Sequence, residues 1–160
     1  MLKCCIYFAI TGIFFFLLGR CIQPENMNWN RFPYVLYNWE KNGCIYRKIG
    51  IHHWQNKVPD MSRIFPKMMP PKKMVDTSSV VLRRMIQETC IAELIHGLLC
   101  FTGFYCIRLW PEFGGTLLAI LNVVLFNLPF ILIQRYNRPR LLRLYNRQIE
   151  KEMLTASCQP

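Results

Sequence analysis

Apolar residues along this chain are gathered into three runs instead of recurring at the spacing of a soluble core. The first is "CCIYFAITGIFFFLLG", Cys4–Gly19, the second covers Ile91–Leu109, and the third is "TLLAILNVVLFNLPFILI", Thr116–Ile133. At about 1.5 Å per residue the first run is about 24 Å long, marginal for the ~30 Å hydrocarbon thickness of a bilayer. The pattern predicts three transmembrane helices. Between the second and third runs lies only "WPEFGG", Trp110–Gly115. A link this short, with Pro and Gly in it, predicts an antiparallel helical hairpin. Trp110 suits the aromatic belt at the membrane interface. Pro129, late in the third run, is expected to kink that helix or free a backbone carbonyl. A secretory signal peptide competes for the first run. Against it, only Lys3 precedes the run, and Arg20 stands before Cys21, where a lipoprotein cleavage site needs a small residue. A retained span is therefore predicted.

The expected fold class is an all-α integral membrane protein with about three transmembrane helices. One is N-terminal (1–19), and a helical hairpin (91–134) follows a basic, aromatic-rich interfacial loop (20–90). A basic tail (135–160) closes the chain. Composition supports this: hydrophobic residues are 52% of the chain, and mean hydropathy is +0.16 despite a net charge of +11. The charges also orient the protein. Residues 20–90 hold twelve Lys/Arg, the tail holds six, and only Lys3 and Arg108 lie elsewhere. Cationic loops stay on the cytoplasmic side. The expectation is a multi-pass protein of the cell membrane with its N-terminus and hairpin link outside, and its long loop and C-terminus in the cytoplasm. A loop longer than ~60 residues carries less weight in this rule, but the tail agrees with it.

The loop is not uniform. Asn26–Asp60 carries Trp29, Phe32, Tyr34, Tyr37, Trp39, Tyr46 and Trp54 with basic residues among them. That mixture suits the headgroup boundary, aromatic bodies inward and cationic tips outward. "FPKMMPPKKM", Phe65–Met74, reads as a mobile linker. "SSVVLRRMIQETCIAELIHGLL" resumes as helix, with Ser78 or Ser79 as N-cap. Beyond the third run Pro139 is expected to end the helix at Arg138. Arg140–Met153 then reads as a short amphipathic helix whose Arg143, Arg147 and Lys151 are drawn to anionic lipid. None of the eight cysteines forms a CxxC pair. Cys4, Cys5, Cys100 and Cys106 sit in apolar runs and read as packing residues.

Ionisable groups at membrane depth are rare and usually line an interior site. Glu93 and His96, three residues apart, share a helix face about one turn inside the second span. Asn122, Asn127 and Gln134 lie on the third, and antiparallel packing brings Asn127–Gln134 to the level of Glu93 and His96. Arg135, Asn137 and Arg138 follow just outside, and His52 and His53 could fold up to the same level. Three readings fit. The first is a hydrogen-bonded helix contact, each bond averaging about 0.6 kcal/mol. The second is a metal site from His52, His53, His96 and Glu93, which lacks a tight two-histidine spacing. The third is general acid–base chemistry: His96 accepts a proton, Glu93 orients it, and Arg135 and Arg138 hold a developing anion.

These residues also carry a resemblance. "AELIH" at Ala92–His96, "LPFILIQRYNRPRL" at Leu128–Leu141 and, more weakly, "WQNKVPD" at Trp54–Asp60 resemble the glycosyl-4,4'-diaponeurosporenoate acyltransferases of the bacterial C30 carotenoid (staphyloxanthin-type) pathway. The likeness spans about Trp29–Arg147. It implies a membrane acyltransferase that moves a fatty acyl group onto a sugar hydroxyl of a carotenoid glycoside or related glycolipid, the last step of such a pathway. On that footing His96 is the base and Glu93 its partner. Arg135, Asn137 and Arg138, with Gln134, Asn127, Trp54, Lys57 and His53, would bind sugar, acyl carbonyl or donor phosphate.

The resemblance implies as partners a membrane glycolipid acceptor and an acyl donor, either an acyl carrier protein or acyl-coenzyme A. No cofactor, metal or nucleic acid is called for. Three helices offer little wall around a lipid, so a homodimer also fits. The HxxxxD motif of soluble acyltransferases is absent: Lys57, Val58 and Phe101 stand five residues after His52, His53 and His96. The alternative is a non-enzymatic membrane scaffold or lipid-binding subunit in which Glu93 and His96 only join helices.

Overall fold

The computed structural model describes residues 1–58 and 78–157, except for the side chain of Lys41. The predicted linker Phe65–Met74, and Asp60 of the "WQNKVPD" stretch, lie outside the described residues.

Every regular element among the described residues is helical. The order is α1 (Leu2–Cys21), α2 (Cys44–Lys48), α3 (Ile51–Trp54), α4 (Ser79–Gly103), α5 (Tyr105–Leu109), α6 (Phe113–Leu121) and α7 (Leu128–Ser157). A π-helical turn, Asn122–Asn127, joins α6 to α7. Three helical stretches are long and apolar enough to cross a membrane: Leu2–Cys21, Ser79–Leu109 and Phe113–Ser157. This agrees with the three predicted spans. The second and third form the predicted hairpin. They extend well past the apolar runs into the regions expected to be loop and tail.

The spans meet through small residues and a few polar ties. Without a hydrophobic drive between helices in lipid, close approach of backbones carries the association. Gly19 of α1 lies against Ile95 of α4, and a Cβ at that position would stand 3.2 Å from the Ile95 side chain. Further along, the Tyr7 hydroxyl donates to the Thr102 carbonyl at 2.9 Å, and the buried Cys4 thiol faces the Cys106 carbonyl at 3.9 Å. Residue numbers rise on one helix as they fall on the other, so α1 runs antiparallel to α4. Of the four cysteines read as packing residues, Cys4 and Cys106 are fully buried, Cys100 is part-buried and Cys5 is exposed.

The hairpin link is tighter than expected, because α6 already begins at Phe113. Gly115 is the reason: a Cβ there would run into the backbone carbonyls of Trp110 and Cys106. Outward-facing Ile6, Ile10, Phe14, Phe101, Phe104, Ile120, Leu125 and Phe126 remain exposed. In water this would be an unusually large apolar surface; facing lipid tails it is ordinary.

At the loop end α4 and α7 pack along their length, and the segment before Val58 folds onto them. Leu82 and Ile86 of α4 bury against Leu141 of α7, with Trp29 and Tyr145 closing over them. Tyr46 and Ile51 bury against Tyr136, with Trp54 packed on the outside. The aromatic loop is thus a folded cap on the hairpin. Phe32 and Trp39 are the large rings left outward.

The expected break at Pro139 does not occur. Helix α7 runs unbroken from Leu128 to Ser157 with Pro139 inside it. A proline there lacks the N–H that would meet the Arg135 carbonyl, a fault costing about 3 kcal/mol in an isolated helix. Here both sides of the proline are clamped. Tyr136 and Leu141 are buried, and Gly43 of the loop rests on the proline ring. Gly43 has φ +88°, a conformation few other residues accept, and its missing Cβ lets the loop approach the ring. The distortion expected at Pro129 falls instead just before it, in the π turn. Ser78 stands at the α4 N-cap, and the Glu152 carboxylate accepts from the Ser79 backbone N–H at 3.2 Å. This ties the far end of α7 to the start of α4, with the anion at a helix N-terminus.

Candidate active site

Two polar clusters lie between α4 and α7, one above the other. The deeper one is built on the π turn, an arrangement often found at functional sites. The wide turn lets the Asn127 amide nitrogen donate to the Asn122 carbonyl at 2.9 Å and to the Asn122 side-chain oxygen at 3.1 Å. Asn122 in turn donates its amide to the Leu99 carbonyl of α4 at 3.0 Å. Gly103 is required here, since a Cβ would collide with the Asn122 amide.

This chain of bonds fixes which end of Asn127 faces His96. Its amide nitrogen is engaged within the turn, so its oxygen meets the Nδ1 of His96, at 3.0 Å. An amide oxygen only accepts, so Nδ1 carries the hydrogen and Nε2 holds the lone pair. Phe130 lies flat against the imidazole, ring centres 4.5 Å apart and planes 4° from parallel. His96 is therefore held in one orientation and one tautomer, with Nε2 as the basic nitrogen.

The shallower cluster is an ion cage. Arg135 donates from Nε to Glu93 at 2.7 Å, from Nη1 to Glu40 at 2.8 Å and from Nη2 to the Pro33 carbonyl at 2.5 Å. Arg138 donates from Nε to Thr89 at 2.9 Å, from Nη1 to the Tyr34 carbonyl at 2.7 Å and from Nη2 to Glu93 at 2.5 Å. The Tyr46 hydroxyl and the Tyr37 backbone N–H complete the shell around Glu40. Glu40 and Arg138 are fully buried. Two carboxylates face two guanidinium groups, so the formal charges cancel.

Two site expectations are corrected by this geometry, and one alternative reading loses its support. Glu93 is not the partner of His96: both its oxygens are taken by Arg135 and Arg138, and Asn127 fills the orienting role. Arg135 and Arg138 are not poised for an outside anion, because all three nitrogens of each are already bonded within the chain. Nor do His52, His53, His96 and Glu93 converge; among the described residues no three metal-ligating side chains do. His52 and His53 are exposed at the loop surface, ring centres 3.8 Å apart. Partial loss of solvent contact, and then the charges of His53, Arg47 and Arg140, push His52 below the usual imidazole range. Of the other expected residues, Trp54 packs on the Tyr46 cluster, donating to the Ile49 carbonyl at 3.4 Å, and Lys57 is exposed. Gln134 and Asn137 line an open groove of about 670 Å³ between α4 and α7.

Glu40 and Tyr46 escaped the sequence reading. The signal was present, since Glu40 is the single acidic residue between Glu25 and Asp60 in a strongly basic stretch. Burial alone would raise its pKa. The bonds from Tyr46, Arg135 and the Tyr37 N–H outweigh that and hold it below the ordinary carboxylate value of 4.5. A carboxylate with a lowered folded-state pKa stabilises the fold above its unfolded value and loses that contribution as pH falls through the folded one. Docking of residues 31–46 should therefore be unchanged from pH 8 to 5 and weaken below pH 4.5. Limited proteolysis with an acid-active protease checks this. Glu40→Gln should weaken docking at neutral pH as well.

Fold and site together define an all-helical protein with three helical stretches long and apolar enough to cross a membrane, and with an oriented imidazole set between two of them beneath a basic groove. The sequence profile of the glycosyl-4,4'-diaponeurosporenoate acyltransferase family matches residues 30–147. The chain belongs to that family and is, accordingly, an acyltransferase. A Staphylococcus aureus protein of that name, from strain bovine RF122 / ET3-1, is 27% identical over 145 residues, covering 88% of this chain and 85% of its own. Its counterparts in strains N315 and USA300 are each 26% identical over the same shares. No solved structure matches the chain.

Proposed function

We propose that this acyltransferase esterifies a sugar hydroxyl of a carotenoid glycoside, glycosyl-4,4'-diaponeurosporenoate or a related glycolipid, with a fatty acyl group at the cytoplasmic face of the cell membrane. The observation that carries the reading is the His96–Asn127 bond, with Asn127 locked by Asn122 so that His96 Nε2 is free to accept a proton. In this reaction the acceptor hydroxyl gives its proton to Nε2 while its oxygen attacks the carbonyl of an acyl thioester. The new C–O bond forms, the C–S bond breaks, and the imidazolium returns the proton to the departing thiolate. Gln134, one turn from Phe130 on the groove wall, supplies an amide donor for the carbonyl oxygen as it becomes anionic. Asn127 acts as a positioning residue.

The interfacial level suits the substrates: a carotenoid glycoside lies in the bilayer with its sugar at the surface, and a thioester donor arrives from the water. Eighteen of the twenty basic residues flank the spans on the side of the long loop and tail, which supports that side as cytoplasmic. The test is reconstitution of the full chain in lipid with a carotenoid glycoside and palmitoyl-coenzyme A or palmitoyl-carrier protein. Mass spectrometry should find the glycoside heavier by one palmitoyl ester. An unchanged glycoside with both donors would overturn the proposal and favour a scaffold.

A further inference from the structure

The groove between α4 and α7 opens on the loop side of His96. Its walls carry Gln134, Asn137, Arg140, Arg143 and Arg147 from α7, facing Glu88, Thr89 and Ala92 of α4. Ala92 and Gln134 are one helical turn from His96 and Phe130, so the groove and the imidazole share one stripe along the helix pair.

The arginines of this stripe differ from those of the cage. Arg135 and Arg138 are neutralised by Glu93 and Glu40. Among the described residues Arg140, Arg143 and Arg147 form no ion pair. Arg140 lies over the Tyr136 ring at 4.8 Å, and Arg143 spends only its Nε, on the Pro139 carbonyl at 3.3 Å. The facing carboxylate, Glu88, is paired with Arg84 at 3.3 Å. The groove therefore holds an uncompensated cationic row above a polar floor. Guanidinium groups in this state select phosphate.

Spacing narrows the ligand. From Phe130 to Arg140 is ten residues, and to Arg143 thirteen. Along a helix these are about 15 and about 20 Å. The thirteen bonds between the phosphorus and the sulfur of a phosphopantetheine arm extend over roughly 16 Å at standard bond lengths. We propose that the groove is the donor site: Arg140 and Arg143 grip the phosphate of a phosphopantetheine thioester, the arm lies along Asn137 and Gln134, and its acyl carbonyl arrives beside His96. This rests on the acyl-transfer reading above, and it assigns the donor class to a place that the cage arginines cannot serve.

The test is binding by the full chain in phosphatidylcholine nanodiscs, using two non-reactive thioether probes: S-hexadecyl-coenzyme A, and S-hexadecyl-pantetheine, which lacks every phosphate. Wild type should bind the first at least tenfold more tightly than the second. Arg140→Gln with Arg143→Gln should erase that preference, leave pantetheine binding unchanged and keep the protein folded. Arg140→Lys with Arg143→Lys should restore most of it. Equal binding of both probes by wild type, or a preference that survives the double Gln variant, would overturn the proposal. So would a preference abolished by adding phosphatidylglycerol, which would make the row a lipid-headgroup site. If the probes behave as expected but wild type leaves the glycoside unesterified, the acyl-transfer reading fails and the phosphate-binding groove stands.

Discussion

His96→Ala should cut ester formation by at least about a hundredfold, the usual range for losing a positioned general base being 10²–10⁴. The variant should insert and elute like wild type, because His96 makes one side-chain hydrogen bond and lies outside the ion cage. Asn127→Leu should fall between the two. It leaves His96 in place but removes the acceptor that keeps hydrogen on Nδ1. Nitrogen NMR supplies the readout that a merely structural role would not move. Of the three histidines, His96 should show a protonated Nδ1 and a bare Nε2, and Asn127→Leu should abolish that bias. Wild-type turnover by His96→Ala would remove this imidazole from the chemistry.

The second large effect falls on stability. Glu93→Ala should destabilise the protein by about 3–5 kcal/mol, the usual cost of leaving a buried charge without its partner. The figure applies because Glu93 bridges two guanidinium groups, one of them fully buried. Equilibrium unfolding in mixed micelles measures it. Replacing both Glu93 by Leu and Arg138 by Met should cost less than the sum of the single changes, since the apolar pair leaves no orphaned charge at that point. A Glu93→Ala variant as stable as wild type would mean that the cage contributes nothing to the fold.

The spans and hairpin were legible because membrane helices write themselves as uninterrupted apolar runs, and the short "WPEFGG" link leaves one way to connect two of them. The level of the site was legible too. Antiparallel pairing alone sets Glu93 and His96 opposite Asn127–Gln134, and the bonds of Glu93 to Arg135 and His96 to Asn127 meet there. What could not be read was the division of partners. Helix spacing states that Glu93 and His96 share a face, but the choice between them was made by groups 31 to 45 residues away. Glu40 is farther still, 95 residues from Arg135. The π turn shifts the faces of the third span by a fraction of a turn, and Pro129 announces a distortion nearby but not its form or its place. Pro139 misled for a related reason: its rule describes an isolated helix, and here Gly43, Tyr136 and Leu141 hold the helix on both sides.

The cage also sets an order of assembly. Glu40 leaves the ribosome long before Arg135 exists, and this neutralising partner sits on α7, 95 residues later. Until α7 is in place, the aromatic segment has only α4 to rest on and lacks Tyr136, Arg135 and Arg138, which fasten it. The cap is therefore latched last, and a nascent chain stalled before Arg135 would carry its hydrophobic face unsealed, open to quality-control proteases.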